Sequence, residues 1–98
     1  MENKIVMFSK PGCKYCENAR SFLNTLQLQY KEIKLKPDEK NYEKKRDQLF
    51  NYYNHHSYPI IVINNEFVGG YNDLIRSYDT LKLHNMCSRI GIDLQCDF

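Results

Sequence analysis

The 98-residue sequence has no tryptophan, one alanine, four glycines, three prolines and four cysteines. So little glycine and proline excludes a collagen-like or low-complexity chain, and 42% hydrophobic with 27% charged residues is the balance of an ordinary globular domain. Long apolar runs are also missing. Ile5-Val6-Met7-Phe8 and Ile60-Ile61-Val62-Ile63 fall far short of the roughly 20 residues a membrane-spanning helix needs, so no membrane association is expected. Met1-Glu2-Asn3-Lys4 and the run behind it offer neither an extended apolar region nor a small-residue cleavage site, so the expected setting is a reducing, cytoplasmic compartment. Charge of one sign is not in excess either: 14 Lys+Arg against 12 Asp+Glu leave +2. That is too little for a charge-driven nucleic-acid binder, though it allows a small anionic ligand. The cysteines, at 13, 16, 87 and 96, are too few and too uneven for a disulfide-stapled miniprotein. The length holds one domain, residues 1–98, with a modest core and a monomeric state expected.

What is present reads as alternating strands and helices. Lys4 to Phe8, ended by Ser9-Lys10-Pro11-Gly12, predicts a strand buried on both faces and then a turn. Ala19, Phe22, Leu23 and Leu26 follow the i, i+3, i+4, i+7 spacing of a helix with one buried stripe. Tyr30 to Leu35 predicts a second strand, and Tyr42, Leu49, Phe50 and Tyr53 line one face of a second, highly charged helix. Pro59 opens the β-branched run Ile60 to Ile63. Asn64-Asn65, residues that tolerate positive φ, then predict a tight hairpin turn into Glu66-Phe67-Val68. After Gly69-Gly70, Asn72 is expected to cap a helix carrying Leu74, Ile75 and Tyr78, and Leu83, Met86, Cys87 and Ile90 form a last stripe that stops at Gly91. The order β-α-β-α-β-β-α-α predicts an α/β fold, a mixed sheet of about four strands with helices on both faces.

Cys13-Lys14-Tyr15-Cys16 is the chemical centre of this pattern. After a buried strand and at the first turn of a helix, Cys13 meets unpaired backbone N–H groups and the positive end of the helix dipole, which favour thiolate over thiol. Lys10 and Lys14 add positive charge. An unperturbed cysteine, with a pKa of about 8.5, is mostly protonated at neutral pH, so that bias raises the rate of thiol–disulfide exchange. Cys16, one helical turn on, is expected to be less exposed and able to attack back on a mixed disulfide at Cys13. The competing reading is half a zinc site. Cys87 and Cys96 lie nine apart and do not supply the second half, Cys87 sits on an apolar stripe as a buried structural cysteine does, and His55-His56 read as surface residues. Cys96 is expected to be exposed, as an idle surface thiol or a partner in a regulatory disulfide.

Lys10-Pro11-Gly12-Cys13-Lys14-Tyr15-Cys16, then Ser57-Tyr58-Pro59, then Gly69-Gly70-Tyr71-Asn72-Asp73 together resemble a dithiol glutaredoxin of the thioredoxin fold, in the family's order and spacing. Thioredoxins carry Trp before the first cysteine and Gly-Pro between the two, so Tyr15, Lys10, the double glycine and the lack of Trp favour glutaredoxin. The resemblance implies that Pro59 is the family's cis-proline. It also implies that Tyr58, where Val is usual, pairs through its backbone with the cysteine of glutathione while its ring reshapes the groove. By the same resemblance, Gly70, Tyr71, Asn72 and Asp73 receive the γ-glutamyl end, with backbone N–H groups on the carboxylate and Asp73 on the amine. Helix capping serves Asp73 equally well. Lys10 is implied at the glycine carboxylate or the thiolate, Arg46 at the glycine carboxylate, and Tyr15 on the groove wall or packed beneath the helix.

The activity this implies is glutathione-dependent reduction of protein disulfides and glutathione mixed disulfides by Cys13 and Cys16. Glutathione is the co-substrate, glutathionylated proteins are the partners, and NADPH supplies electrons through glutathione reductase. No metal is expected. The alternative is a dimeric carrier of a [2Fe-2S] cluster ligated by Cys13 and glutathione, which the absence of proline after Cys13 leaves open. A third reading is a redox-tuned subunit serving one partner.

Overall fold

The computed structural model describes residues 4–94. Its elements are β1 (Ile5–Ser9), α1 (Lys14–Thr25), β2 (Lys31–Lys34), α2 (Tyr42–Tyr53), β3 (Ile60–Ile63), β4 (Glu66–Gly69), α3 (Tyr71–Asp79) and α4 (Lys82–Ser88). They form one mixed sheet in the order β2-β1-β3-β4. β1 runs parallel to β2 and antiparallel to β3, which pairs antiparallel with β4. The expected α/β order and four-stranded mixed sheet are therefore present. Residues 95–98, with Cys96, lie outside the described residues, so the expectation for that thiol has no structural counterpart.

Strand alternation sorts the core into two unequal layers. Ile5, Met7, Ile61 and Ile63 point to one face, where Ala19 and Leu23 of α1, Leu74 of α3, and Leu83, Met86 and Cys87 of α4 complete a buried cluster. Cys87 is a free, fully buried thiol whose pKa burial pushes up, so it stays protonated and unreactive. Val6 and Phe8 point to the other face and are only half-buried, contrary to a strand covered equally on both sides. The reason is α2, which packs on that face with no fully buried residue of its own, through contacts such as Phe8 to Tyr53 at 6.3 Å and Tyr53 stacked on Phe67 at 5.3 Å between ring centroids.

Local signals set most boundaries. α1 ends where Gln27 turns left-handed (φ 58°) and the Leu28 N–H reaches back to the Leu23 carbonyl at 3.0 Å. Asn64 and Asn65 take φ of 50° and 65°, the left-handed pair that a two-residue hairpin needs. Gly91 (φ 81°) ends the last turn beyond α4. The expected second strand is shorter than Tyr30 to Leu35, because only residues 31–34 pair with β1. Asn72 is not the cap of α3. The helix starts at Tyr71, Gly70 is its N-cap, and Asp73 accepts the Gly70 N–H at 2.9 Å, so the capping carboxylate reaches back from inside the first turn.

One ion pair locks the sheet to α1 just behind the cysteine turn. Arg20 donates to both carboxylate oxygens of Glu32, Nε to Oε1 at 2.9 Å and a terminal nitrogen to Oε2 at 2.6 Å. Ser9, fully buried at the end of β1, donates its hydroxyl to the same Oε2 at 2.7 Å. Bidentate and charge-assisted, this arrangement holds the Glu32 carboxyl down at about 2.

Candidate active site

The turn from β1 into α1 puts the cysteine pair at a helix start. Gly12 takes φ 70°, which a glycine adopts without steric cost. Cys13 is then the N-cap of α1 in extended conformation. Cys13 and Cys16 form a disulfide, their Cα atoms 5.2 Å apart. The Cys16 N–H donates to Cys13 Sγ at 3.2 Å, so a first-turn donor of the helix is aimed at the sulfur on which negative charge develops once the disulfide is opened. Exposure separates the two residues: Cys13 retains 8% of its surface and Cys16 only 1%. An incoming sulfur therefore meets Cys13 first, and Cys16 is held behind it.

Beside the pair lies an open cleft of about 220 Å³ lined by Tyr15, His55, Ser57, Tyr58, Pro59 and the Gly70 to Asp73 segment. Tyr15, between the cysteines, is 56% exposed with its ring 6.3 Å from that of Tyr71, so it stands on the cleft wall and not beneath the helix. The Tyr58–Pro59 bond is cis, as the motif leads one to expect, and Pro59 is buried. Gly70, Tyr71, Asn72 and Asp73 bring the N-terminus of α3 to the cleft, although the Asp73 carboxylate is engaged with the Gly70 N–H and lies 3.8 Å from Arg76.

Two expected residues stand outside the lining. The Lys10 ammonium lies over the Tyr58 ring, and Arg46 pairs with Asp47 at 3.0 Å and lies over the Tyr42 ring. Two lining residues were not foreseen as part of a site: His55, with Nε2 at 3.2 Å from the Ser57 hydroxyl and its ring against Phe67, and Ser57 itself. Their only signal was adjacency to Tyr58-Pro59. Burial and then the Tyr42 hydroxyl push the Tyr58 phenol well above its usual range, so it is neutral throughout the physiological pH range.

Gly69 shapes the end of the cleft where β4 passes into α3. Its φ of 126° suits glycine alone, and a Cβ there would collide with the Asp73 carboxylate. Gly69→Ala should cost about 1–3 kcal/mol in urea unfolding. Gly91→Ala should cost less, because its Cβ would meet open space. Equal midpoint shifts for the two variants would contradict this.

A second cleft, about 240 Å³, lies between α2 and the β1–β2 edge, with Phe8, Ile33, Leu35, Tyr42 and Leu49 among its walls. It contains no cysteine and reflects the thin packing of α2. Among the described residues no three His, Cys, Asp or Glu side chains are grouped so as to hold a metal ion, and no helix is long and apolar enough to cross a membrane.

The geometry agrees with what known proteins share with this chain. The family model described as Glutaredoxin matches residues 5–68. The human protein Glutaredoxin-2, mitochondrial is 31% identical over 96 residues, covering 97% of this chain and 54% of that protein. A probable glutaredoxin of Acanthamoeba polyphaga mimivirus is 33% identical over 81 residues, covering 76% of each. The chain thus spans about half the length of the mammalian relatives it matches. A buckwheat glutaredoxin–glutathione complex shares the fold at a TM-score of 0.82 and 24% identity, over 93% of this chain and 82% of that one. The dithiolic glutaredoxin 2-C-Grx1 of Trypanosoma brucei brucei superposes with a TM-score of 0.75 at 30% identity, over 86% of each chain. Family model, curated relatives and fold agree, and the chain belongs to the glutaredoxin family.

Proposed function

We propose that the protein is a glutathione-dependent thiol–disulfide oxidoreductase acting on protein disulfides and glutathione mixed disulfides. The observation that carries this reading is the unequal exposure of a bonded cysteine pair at a helix start, beside an open cleft. In the reduced protein the Cys13 thiolate attacks the glutathione sulfur of a mixed disulfide. The protein–glutathione S–S bond breaks, the target leaves as a thiolate that takes up a proton, and glutathione remains bonded to Cys13. A second glutathione, as thiolate, attacks that glutathione sulfur, releasing oxidised glutathione and restoring Cys13. With a protein disulfide, the Cys13 thiolate attacks one sulfur and expels the other as a thiolate. The Cys16 thiolate then attacks the Cys13 sulfur, breaking the mixed disulfide, releasing the second protein thiolate and closing the Cys13–Cys16 bond, which two glutathiones reopen as they become oxidised glutathione.

The cleft supports glutathione as the small thiol. Backbone N–H groups of Tyr71 and Asn72 at the start of the nine-residue α3 suit the γ-glutamyl carboxylate. The backbone of Tyr58, ahead of Pro59, suits the cysteinyl unit, Tyr15 flanks it, and Lys10 and Arg46 supply positive charge for the glycine carboxylate. Asp73, beside Gly70, faces the amine. NADPH is the ultimate reductant through glutathione reductase, the chain acts as a monomer, and a reducing cytoplasmic compartment is its setting.

The test is NADPH consumption with glutathione, glutathione reductase and a small mixed disulfide. Consumption should depend on this protein. Activity with thioredoxin and its reductase in place of glutathione would overturn the reading. Anaerobic purification separates the cluster alternative, since a [2Fe-2S] dimer would absorb visible light and the enzyme proposed here is colourless.

A further inference from the structure

Both cations proposed for the glycine carboxylate rest on tyrosine rings, and the two tyrosines touch. The Lys10 ammonium is 5.6 Å from the centroid of the Tyr58 ring. The Arg46 guanidinium carbon is 5.6 Å from that of Tyr42. Both distances fall in the range where a ring face attracts a cation. The Tyr42 and Tyr58 hydroxyls are 3.3 Å apart, close enough for one to donate to the other. Phe50 packs edge-on against the Tyr58 ring, 5.2 Å between centroids, and holds it from another side.

These four residues come from three places in the chain: Lys10 from the turn after β1, Tyr42 and Arg46 from the first turns of α2, and Tyr58 from the segment before Pro59. A long exposed lysine ordinarily spends its rotamer freedom in solvent, and fixing it costs entropy that a ring face partly offsets. Here the ring that holds Lys10 also lines the cleft. Arg46 is held on one side by Asp47 and on the other by Tyr42. An aliphatic side chain at position 58 would provide neither the ring under Lys10 nor the hydroxyl that meets Tyr42.

We infer that Tyr42 and Tyr58 are positioning residues that hold Lys10 and Arg46 as one anion-binding pair beside the cleft, and so set the preference for a reducing thiol whose far end carries a carboxylate. This rests on the proposed reading that glutathione is the reductant. The tyrosines act through the cations, with the hydroxyl contact fixing the distance between the two rings.

The discriminating experiment compares glutathione with its glycine ethyl ester, in which that carboxylate is masked. The second-order rate of reduction of the Cys13–Cys16 disulfide is followed by acid quench and mass measurement, so no coupling enzyme is involved. The parent protein should prefer glutathione over the ester. Tyr58→Leu should reduce that preference about 3–10-fold, the size of one cation–ring contact, and Tyr42→Phe, which loses only the hydroxyl, about twofold. Tyr58→Phe, which keeps the ring under Lys10 but loses the same hydroxyl contact, should cost about twofold as well, less than Tyr58→Leu, and guards against a folding artefact. In a Lys10→Gln background, Tyr58→Leu should lower the ratio little further, because the ring then has no ammonium to hold. A preference unchanged by Tyr58→Leu, an equal loss with both thiols, or full additivity with Lys10→Gln would overturn the inference while leaving glutathione as reductant. Failure of either thiol to reduce the parent disulfide would remove the glutathione reading and this inference together.

Discussion

Cys13→Ser should eliminate glutathione–disulfide exchange, lowering the rate by a factor on the order of 10³ or more, because a serine hydroxyl is un-ionised at neutral pH and cannot form the mixed disulfide. Cys16→Ser should behave differently. It removes the resolving thiol but leaves Cys13, its place at the N-cap and the backbone N–H of residue 16 that points at its sulfur. Deglutathionylation, which needs one thiol, should persist, whereas reduction of protein disulfides should stall at the mixed disulfide. The check is the NADPH-coupled assay run with a glutathionylated peptide and with a protein disulfide, combined with intact mass after exposure to oxidised glutathione. The Cys16 variant should gain a glutathione at Cys13 that a Cys13→Ser, Cys16→Ser double variant does not gain. The opposite pattern, activity in the Cys13 variant and none in the Cys16 variant, would reverse the roles that burial assigns to the two sulfurs.

Acid should weaken this protein through one identifiable group. The Arg20 guanidinium and, secondarily, the Ser9 hydroxyl hold the folded Glu32 carboxyl near 2, against about 4.3 in an unfolded chain. A carboxyl depressed in the folded state contributes stability that is fully present above its unfolded pKa and is lost as pH falls toward its folded one. Between about pH 4.5 and pH 2 the parent protein should therefore lose about 1–3 kcal/mol from this site, the lower part of that range reflecting partial solvent access to Arg20. Glu32→Gln should cost that amount at pH 7 and nothing extra at pH 2, so the two stability curves converge in acid. Urea midpoints at several pH values test it, and parallel curves would show that the ion pair is energetically silent. Because Ser9 ends the strand that leads into Lys10-Pro11-Gly12-Cys13, the same variant is expected to loosen the cysteine turn, visible as faster amide exchange at Lys10, Gly12 and Cys13.

Much of this was legible in the residues because the signals are local. Ala19, Phe22, Leu23 and Leu26 mark a helix through a spacing that needs no partner, and Asn64-Asn65 mark a hairpin through their own backbone preference. Other features were hidden. Arg20 and Glu32 are twelve positions apart, Tyr42 and Tyr58 sixteen, and no periodicity links them. Each pair meets only because a helix crossing or an intervening segment returns the chain to a neighbouring element. Asn72 misled because its type suits a cap, whereas the backbone path set by Gly69 and Gly70 started the helix earlier and let Asp73 do the capping.

The division follows from what each level of structure supplies. Two sulfurs three residues apart at the start of a helix are within bonding reach whatever surrounds them, so the pairing chemistry was present in Cys13-Lys14-Tyr15-Cys16 alone. Which rings carry Lys10 and Arg46, and how thinly α2 covers its face of the sheet, depend on packing between segments far apart in sequence. Burial and cation–ring contact are properties of neighbours in space, and only the folded sheet, by bringing β1, α2 and the Tyr58-Pro59 segment together, assigns those neighbours.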